Sequence, residues 1–202
     1  MNKKNIILAV LILIICLILF TFYINNKSSN KEVNEVKIVD NIEKYGYTLY
    51  DNKSSLYKEK FSELKEILNK EDFNEKEYAE KIAELFTIDF YDLNSKKTNT
   101  DIGGIDFIHK NAKDEFILAA KDTLYKYIES DVYGGRNQKL PEITTVVVSS
   151  IENVSFKSDK LSDEKSYEIK VDITYKEDLE YPTSVTLTLI HDENKLYIVE
   201  VK

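Results

Sequence analysis

The feature that most restricts this chain is an uninterrupted apolar stretch near its N-terminus. Ile6 to Ile24 read IILAVLILIICLILFTFYI, nineteen residues without a charged side chain. A helix of this length rises far enough to cross a hydrocarbon core of about 30 Å. A helix also satisfies its own backbone polar groups inside lipid. We therefore expect a single transmembrane helix over residues 6–24.

The residues that flank this stretch predict its orientation. Lys3 and Lys4 precede it, and Phe22 and Tyr23 lie at its far end, where aromatic rings favour the membrane interface. We expect residues 1–5 to be a cytoplasmic tail and the rest of the chain to be extracytoplasmic, at the cell membrane. The end of the stretch lacks the small-residue cleavage site of a secretory signal, which favours a retained signal anchor. Cys16 follows two isoleucines in mid-stretch, which disfavours a lipoprotein signal.

The charge of the remaining chain limits its partners. Apart from Lys3, Lys4 and Lys27, which flank the apolar stretch, the chain has 25 basic and 36 acidic residues, a net charge of −11. Its lysines are interspersed among acids, and binding to a phosphate backbone requires clustered lysine and arginine. We expect no nucleic-acid partner. Because Cys16 is the one cysteine, the exported part can form neither a disulfide framework nor a cysteine metal site.

The segment after the stretch changes character at about Tyr45. Residues 25–44 are polar and rich in Ser, Asn and Lys, which is typical of a flexible tether. Residues 45–202 are enough for one domain. Helical periodicity begins after Asp51, a candidate N-cap, and continues to Lys70. A second helix is predicted to begin at Asn74, which has Glu77 at capping-box spacing.

A third helix and four strands complete the predicted domain. The helix is expected from about Ala112, with its end marked by Gly134-Gly135. After Pro141 the apolar period changes to two, which predicts strands. These cover 143–156, with a bulge near Ser149-Ser150, then 167–175, 185–189 and 196–201. The sequence predicts an α+β fold, with three helices packed on one face of a curved four-stranded antiparallel sheet.

This order of elements resembles a known superfamily. Three helices before a four-stranded meander, with the aromatic segment LFTIDFYDL at residues 85–93, resemble the nuclear-transport-factor-2-like superfamily and its cystatin-like neighbours. The resemblance covers about Tyr45 to Lys202 and includes no diagnostic motif. With the predicted membrane span, the chain is similar to bacterial inner-membrane scaffold components of type IV secretion and conjugation systems. The resemblance implies a cone-shaped domain that can enclose a pocket between helices and sheet.

Five residues are candidates for functional contacts. Some members of the superfamily, such as ketosteroid isomerase, use an Asp base and a Tyr in their pocket. The resemblance therefore makes Asp89, Tyr91 and Asp92 candidate pocket residues, although capping or core-rim positions are the alternative. Tyr133 and Arg136 flank a Gly-Gly pair and are candidate partner contacts. The alternative there is a helix C-cap in which Arg136 binds a neighbouring acid.

The two histidines do not predict a metal site. Neither His109 nor His191 has a His or Cys neighbour at metal-ligand spacing, and a zinc site needs about four such ligands. We expect exposed or capping histidines, no metal and no cofactor.

Two functions remain open on the sequence. The first is a membrane-anchored, non-enzymatic scaffold or protein-interaction domain that associates with itself or with other envelope proteins. The alternative is a small-ligand-binding or isomerase/dehydratase-like pocket enzyme, which requires a deep cavity lined by Asp89 or Tyr91 with a perturbed carboxylate.

Overall fold

The computed structural model describes residues 13–21 and 36–202. Residues 13–21 are helical and belong to a compact unit separate from residues 36–202. Most of the predicted transmembrane helix, Ile6 to Ile24, lies outside the described residues, as does the predicted tail at 1–5. Among the residues that are described, no helix combines the length and the apolarity needed to cross a membrane.

The folded unit begins earlier than the predicted boundary at Tyr45. Strand β1 (Ile38–Ile42) pairs antiparallel with strand β2 (Tyr47–Tyr50) through a turn at Gly46, whose φ of 65° favours glycine. The prediction of a flexible tether is therefore wrong for residues 38–44, while residues 25–35 lie outside the described part. Strand β1 shows no apolar periodicity, and Ile42 is its one buried residue. The strand is therefore defined by its pairing with β2 rather than by burial of its own side chains.

The first two helices begin at side-chain caps. Helix α1 (Ser55–Leu68) begins at Ser54, whose Oγ accepts a hydrogen bond from the Tyr57 amide at 3.2 Å. The candidate N-cap Asp51 was therefore wrong by three residues. Helix α2 (Glu75–Tyr91) begins at Asn74, which confirms the predicted start.

Helix α3 (Lys113–Asp122) is shorter than predicted. It ends at Thr123, whose backbone is not helical, rather than near Gly134-Gly135. Tyr125 is fully buried just beyond it, and its hydroxyl donates to the Phe90 carbonyl at 2.6 Å. Because this hydrogen bond turns Tyr125 into the core, the chain leaves the helix.

The four predicted strands form one antiparallel sheet in sequence order, which confirms the meander. They are β3 (Ile143–Lys157), β4 (Ser162–Tyr175), β5 (Ser184–Asp192) and β6 (Lys195–Val201). Along β4, buried residues alternate with polar ones such as Lys170. One face of the sheet therefore contributes to the core, and the other, which we call the outer face, is polar.

The bulge predicted in β3 is also confirmed. Val148 pairs with Val171 and Ser150 pairs with Lys170, which leaves Ser149 as an extra residue. Such bulges bend a strand and increase its twist.

Helix α2 is central to the packing. It contacts β3, β4 and β5, while α1 packs against α2. Phe61 of α1, Phe86 of α2 and Ile169 of β4 are among the fully buried side chains of a single core. The loop between α2 and α3 passes beside β6, where the His109 amide donates to the Ile198 carbonyl at 2.9 Å. The structure thus has the predicted α+β class.

Candidate functional site at the end of helix α2

Helical geometry separates the three candidate pocket residues. Asp89 and Asp92 are three positions apart at the C-terminal end of α2, and both line a small polar cavity. Tyr91 points elsewhere and lines an apolar groove. The combination of carboxylate and tyrosine in one pocket, expected from the superfamily resemblance, is therefore not formed by these residues.

The polar cavity lies between the start of α1 and the end of α2. Its volume is about 40 Å³, which is enough for one or two water molecules. Its walls are largely polar and include Asn52, Lys53, Ser54, Tyr57, Ile88, Asp89, Asp92, Ser95, Lys96 and Asp101. A cavity of this size does not admit an organic substrate.

Asp89 is fully engaged within this cavity. Its Oδ1 accepts from Lys53 Nζ at 2.7 Å and from Lys96 Nζ at 3.1 Å, and its Oδ2 accepts from the Gly104 amide at 2.8 Å. Burial alone would raise the pKa of Asp89, but the two ammonium groups and the amide outweigh it and lower that pKa. A carboxylate held by two cations is a poor general base, so Asp89 is a structural ion-pair centre.

Asp92 is the residue of the polar cavity whose carboxyl group has a raised pKa. It is buried, and within the described part of the chain its Oδ1 has no hydrogen-bond partner. Burial raises the pKa of Asp92 to about 6, although Lys96 and the Ile143 amide act in the opposite direction. This carboxyl can therefore take up a proton just below neutrality, in a space large enough only for water.

Sequence reasoning missed the partners of Asp89, and the glycine pair was the available signal. A Cβ on Gly103 would lie 1.8 Å from the Asp89 carbonyl oxygen, so the loop can approach α2 only with glycine there. This close approach brings the Gly104 amide onto the carboxylate of Asp89. Lys53 and Lys96 had no distinguishing pattern among the chain's other lysines.

The apolar groove lies between helix α3, the end of α2, the end of β6 and the loop before β5. Its volume is about 350 Å³, and it is lined by Phe90, Tyr91, Phe116, Ala119, Ala120, Thr123, Leu124, Pro182 and Val201. No charged side chain of the described residues is part of this lining. Burial raises the pKa of Tyr91 to about 12, so its hydroxyl stays protonated near neutral pH. The groove is suited to apolar contact rather than to acid–base chemistry.

Helix α3 forms one wall of the groove and is itself poorly covered. Its central turn, residues 116–120, reads FILAA, which is apolar in every direction around the helix. A helix that is apolar on all sides is normally buried. Here Ala120 is the one buried residue of α3, and Leu118 is 62% exposed.

The guanidinium group of Arg136 binds backbone carbonyl oxygens rather than carboxylates. Its guanidinium donates to the carbonyl oxygens of Lys96 at 2.7 Å and of Asn94 at 3.1 Å. The acid contact is made instead by the Arg136 backbone amide, which donates to Asp131 Oδ1 at 3.1 Å. Arg136 thus fixes the loop that follows α2. Tyr133 is 81% exposed, and its role as a partner contact stays a prediction.

Both histidines contact carboxylates of neighbouring elements. His109 is 1% exposed, so the expectation of an exposed residue is wrong for it. Its Nδ1 accepts from the Asn111 amide at 3.2 Å in the turn before α3, and its Nε2 lies 3.1 Å from Asp192 Oδ2. His191 lies between Asp163 and Glu75, with ring nitrogens 2.7 Å and 3.2 Å from their carboxylate oxygens. Across residues 13–21 and 36–202, no group of three or more His, Cys, Asp or Glu residues is arranged to hold a metal ion.

Comparisons of the chain with protein-family models, with curated proteins and with solved structures gave no match.

Proposed function

We propose that this chain is a single-span, membrane-anchored protein whose extracytoplasmic domain is a non-enzymatic interaction module of the bacterial envelope. Its apolar groove docks an apolar segment of a protein partner. The observation that carries this proposal is the groove itself, an uncharged depression of about 350 Å³ beside a helix whose apolar turn leaves Leu118 and Ala119 exposed.

The chemistry of the two sites favours binding over catalysis. General acid–base catalysis needs a titratable group within reach of the substrate. The hydroxyl groups of Tyr91 and Thr123 are the polar side-chain groups of the groove lining. Asp92, with a pKa of about 6, faces the cavity of about 40 Å³ instead. Of these two sites, the cavity with the titratable carboxyl is too small for a substrate, and the groove that could hold one has no charged side chain among its described lining residues.

The shape and composition of the groove favour a protein segment as its occupant. Apolar helices and strands bind to grooves through several anchors at regular spacing. The apolar side chains that line the groove are in contact with water, which is unfavourable. Burying Phe116, Leu124 and their neighbours under a partner removes that surface from water, at roughly 25 cal/mol per Å².

The uncharged run Ile6 to Ile24 supports the membrane anchor, and Lys3 and Lys4 support a cytoplasmic N-terminus. The resemblance to secretion and conjugation scaffolds supports a role in an envelope assembly. Alkali extraction of membranes should retain the full-length protein, and external protease should remove a tag fused after Lys202 in intact protoplasts. A soluble, shortened product or a protected tag contradicts the topology.

A crosslinking experiment tests the groove. A photo-crosslinking amino acid at Ala119, an exposed groove residue, should give discrete protein adducts in native membranes. The same probe at Thr145, on the outer face of the sheet, is the matched control. Adducts at position 119 that are no stronger than those at 145 contradict the proposal.

The volume of the groove also favours a second candidate, a small apolar ligand. Ligand pockets typically measure about 300–1,000 Å³. An isomerase or dehydratase needs a carboxylate there, so this candidate is a binding protein. A solvent-extractable apolar compound that copurifies with the chain and is lost from Ala119→Arg supports the ligand over the protein segment.

A further inference from the structure

We propose that a further cavity of the domain binds a small, uncharged hydroxyaldehyde, which Lys195 holds as an imine. The cavity, which we call the Lys195 cavity, lies between the turn that joins β5 to β6, the turn that joins β1 to β2 and the start of α3. Its volume is about 310 Å³. It shares no described lining residue with the apolar groove or with the cavity of Asp89 and Asp92, so this inference is independent of the proposed function.

Two tyrosine rings hold the amine of Lys195 at the wall of this cavity. Its Nζ lies 4.3 Å from the centre of the Tyr47 ring and 5.1 Å from the centre of the Tyr197 ring. Lys195 and Tyr197 are two positions apart on β6, so their side chains leave the strand on the same side. Within the described part of the chain, no carboxylate is close enough to this Nζ for an ion pair. The rings therefore fix the position of the nitrogen without giving it a hydrogen-bond acceptor.

The surroundings of Lys195 also favour its uncharged form. Burial lowers the pKa of Lys195; the carboxylate of Asp106 opposes this effect, and the ammonium of Lys113 adds to it. A ring face favours the ammonium only modestly. By contrast, contact with a glutamate raises the pKa values of Lys139 and Lys202. Lysines that are desolvated or lie beside another cation are the ones that proteins use to form imines.

Imine formation by this amine needs no co-reactant besides the aldehyde. The lone pair of the uncharged Nζ attacks the carbonyl carbon, and the π electron pair of the C=O bond moves to the oxygen. The two hydrogens of the amine leave with that oxygen as water, and a C=N double bond remains. Hydrolysis reverses the reaction, so the ligand is held reversibly and is not turned over.

The lining of the cavity indicates the class of ligand. It contains three lysines and three acidic residues, namely Lys110, Lys113, Lys195, Asp106, Asp192 and Glu193. Because these charges balance, the cavity favours neither an anion nor a cation. Hydroxyl groups both donate and accept hydrogen bonds, which suits walls of mixed charge. The volume lies at the lower end of the range for small-molecule sites, about 300–1,000 Å³, so an aldehyde of a few carbons fits.

Reductive trapping with glyceraldehyde tests the site. The full-length protein in detergent is treated at pH 7 with glyceraldehyde and cyanoborohydride, and the labelled lysines are quantified by peptide mass spectrometry. We expect Lys195 to react at least about tenfold faster than Lys110. Lys110 lines the same cavity, but its side chain is 75% exposed and lies 3.4 Å from Asp192. Labelling of Lys110 at an equal or higher rate overturns the inference, because exposure alone would then govern the reaction.

The dependence on aldehyde concentration separates a binding site from an amine that is merely reactive. The labelling rate of Lys195 should level off as the glyceraldehyde concentration rises, while that of Lys110 should rise in proportion. Lys195→Arg keeps the charge and can stack on both rings, so the saturable labelling should disappear while the thermal midpoint stays unchanged. A rate at Lys195 that rises in proportion to glyceraldehyde overturns the inference.

Two substitutions in the lining should change the reaction in opposite directions. Asp106→Asn removes the carboxylate that favours the ammonium of Lys195 and should speed its labelling. Lys113→Gln removes the neighbouring cation and should slow the labelling, each change being at least about twofold. Neither side chain is buried, so both variants should keep the thermal midpoint. Equal labelling of Lys195 in the two variants contradicts the inference.

Discussion

Helices α2 and α3 are both rich in apolar side chains, yet the domain uses them in opposite ways. In α2, eleven of its seventeen residues are buried, and in α3 one of ten. Helix α2 is covered by α1 and the sheet. In α3, the Phe116 ring packs against the rings of Phe86 and Phe90, while the nearby Leu118 and Ala119 stay exposed. The difference indicates that α2 stabilises the monomer and that α3 is available to a partner.

The largest expected effect comes from truncating a core ring in α2. Phe86→Ala removes a fully buried side chain and should lower the free energy of unfolding by about 3–5 kcal/mol. Phe116→Ala, the matched change in α3, should cost clearly less because that ring is partly exposed. Urea unfolding measures both. Equal costs would show that α3 belongs to the core.

The next effect concerns the ion pairs at the end of α2. Asp89→Asn leaves Lys96, which is 5% exposed, and the less buried Lys53 without their carboxylate. Breaking a buried pair typically costs about 3 kcal/mol or more. The control is Asp40→Asn, whose partner Lys65 is much more exposed and which should cost less than about 1 kcal/mol. Similar costs in urea unfolding would show that the Asp89 cluster is effectively solvated.

Asp92 should affect stability with the opposite sign to Asp89. Its pKa is about 6 in the folded chain and 3.8 for an ordinary aspartate, so the folded state binds the proton more tightly. The stabilisation from this protonation is complete below pH 3.8 and is lost as the pH rises through 6. It amounts to at most about 3 kcal/mol.

Asp92→Asn should therefore be more stable than the unmodified chain at pH 7. This advantage should shrink as the pH falls towards 4. The measurement is the difference in the free energy of unfolding between the two proteins at each pH. Asp89 and Asp163, whose pKa values are lowered, are present in both proteins, so their contributions cancel in this difference. A difference that does not vary between pH 4 and pH 7 contradicts the assignment.

The smallest effect is expected on the exposed side of α3. Leu118→Gln should change the free energy of unfolding by no more than about 0.5 kcal/mol, since the side chain is 62% exposed. Leu64→Gln in α1, where the leucine is fully buried, is the contrasting control. A large loss of unfolding free energy in Leu118→Gln would show that other parts of the same chain bury this side of α3.

The sequence predicted those elements whose burial follows a regular period. In β4, Tyr167, Ile169, Val171 and Ile173 are buried in strict alternation, so the strand is visible without its neighbours. The start of α2 at Asn74 was predictable because a cap depends on a few adjacent residues.

The remaining features depend on contacts between distant residues. Helix α3 ends early because the Tyr125 hydroxyl binds the Phe90 carbonyl, a contact across 35 positions. Strand β1 has little burial of its own and is defined by its pairing with β2. The separation of Asp89 from Tyr91 followed from helical geometry. The two lysines that pair with Asp89 come instead from the turn before α1 and from the loop after α2.

The mass of the full-length protein, extracted with detergent from the cells that produce it, tests most directly the central claim that the domain binds a protein partner. Light scattering, corrected for detergent, should give a discrete particle heavier than the 23.5 kDa of one chain. Ala119→Arg, which places a charge in the groove, should reduce the particle to that mass without changing its thermal midpoint. A single chain of 23.5 kDa without the substitution, or a complex that Ala119→Arg leaves intact, would contradict the account.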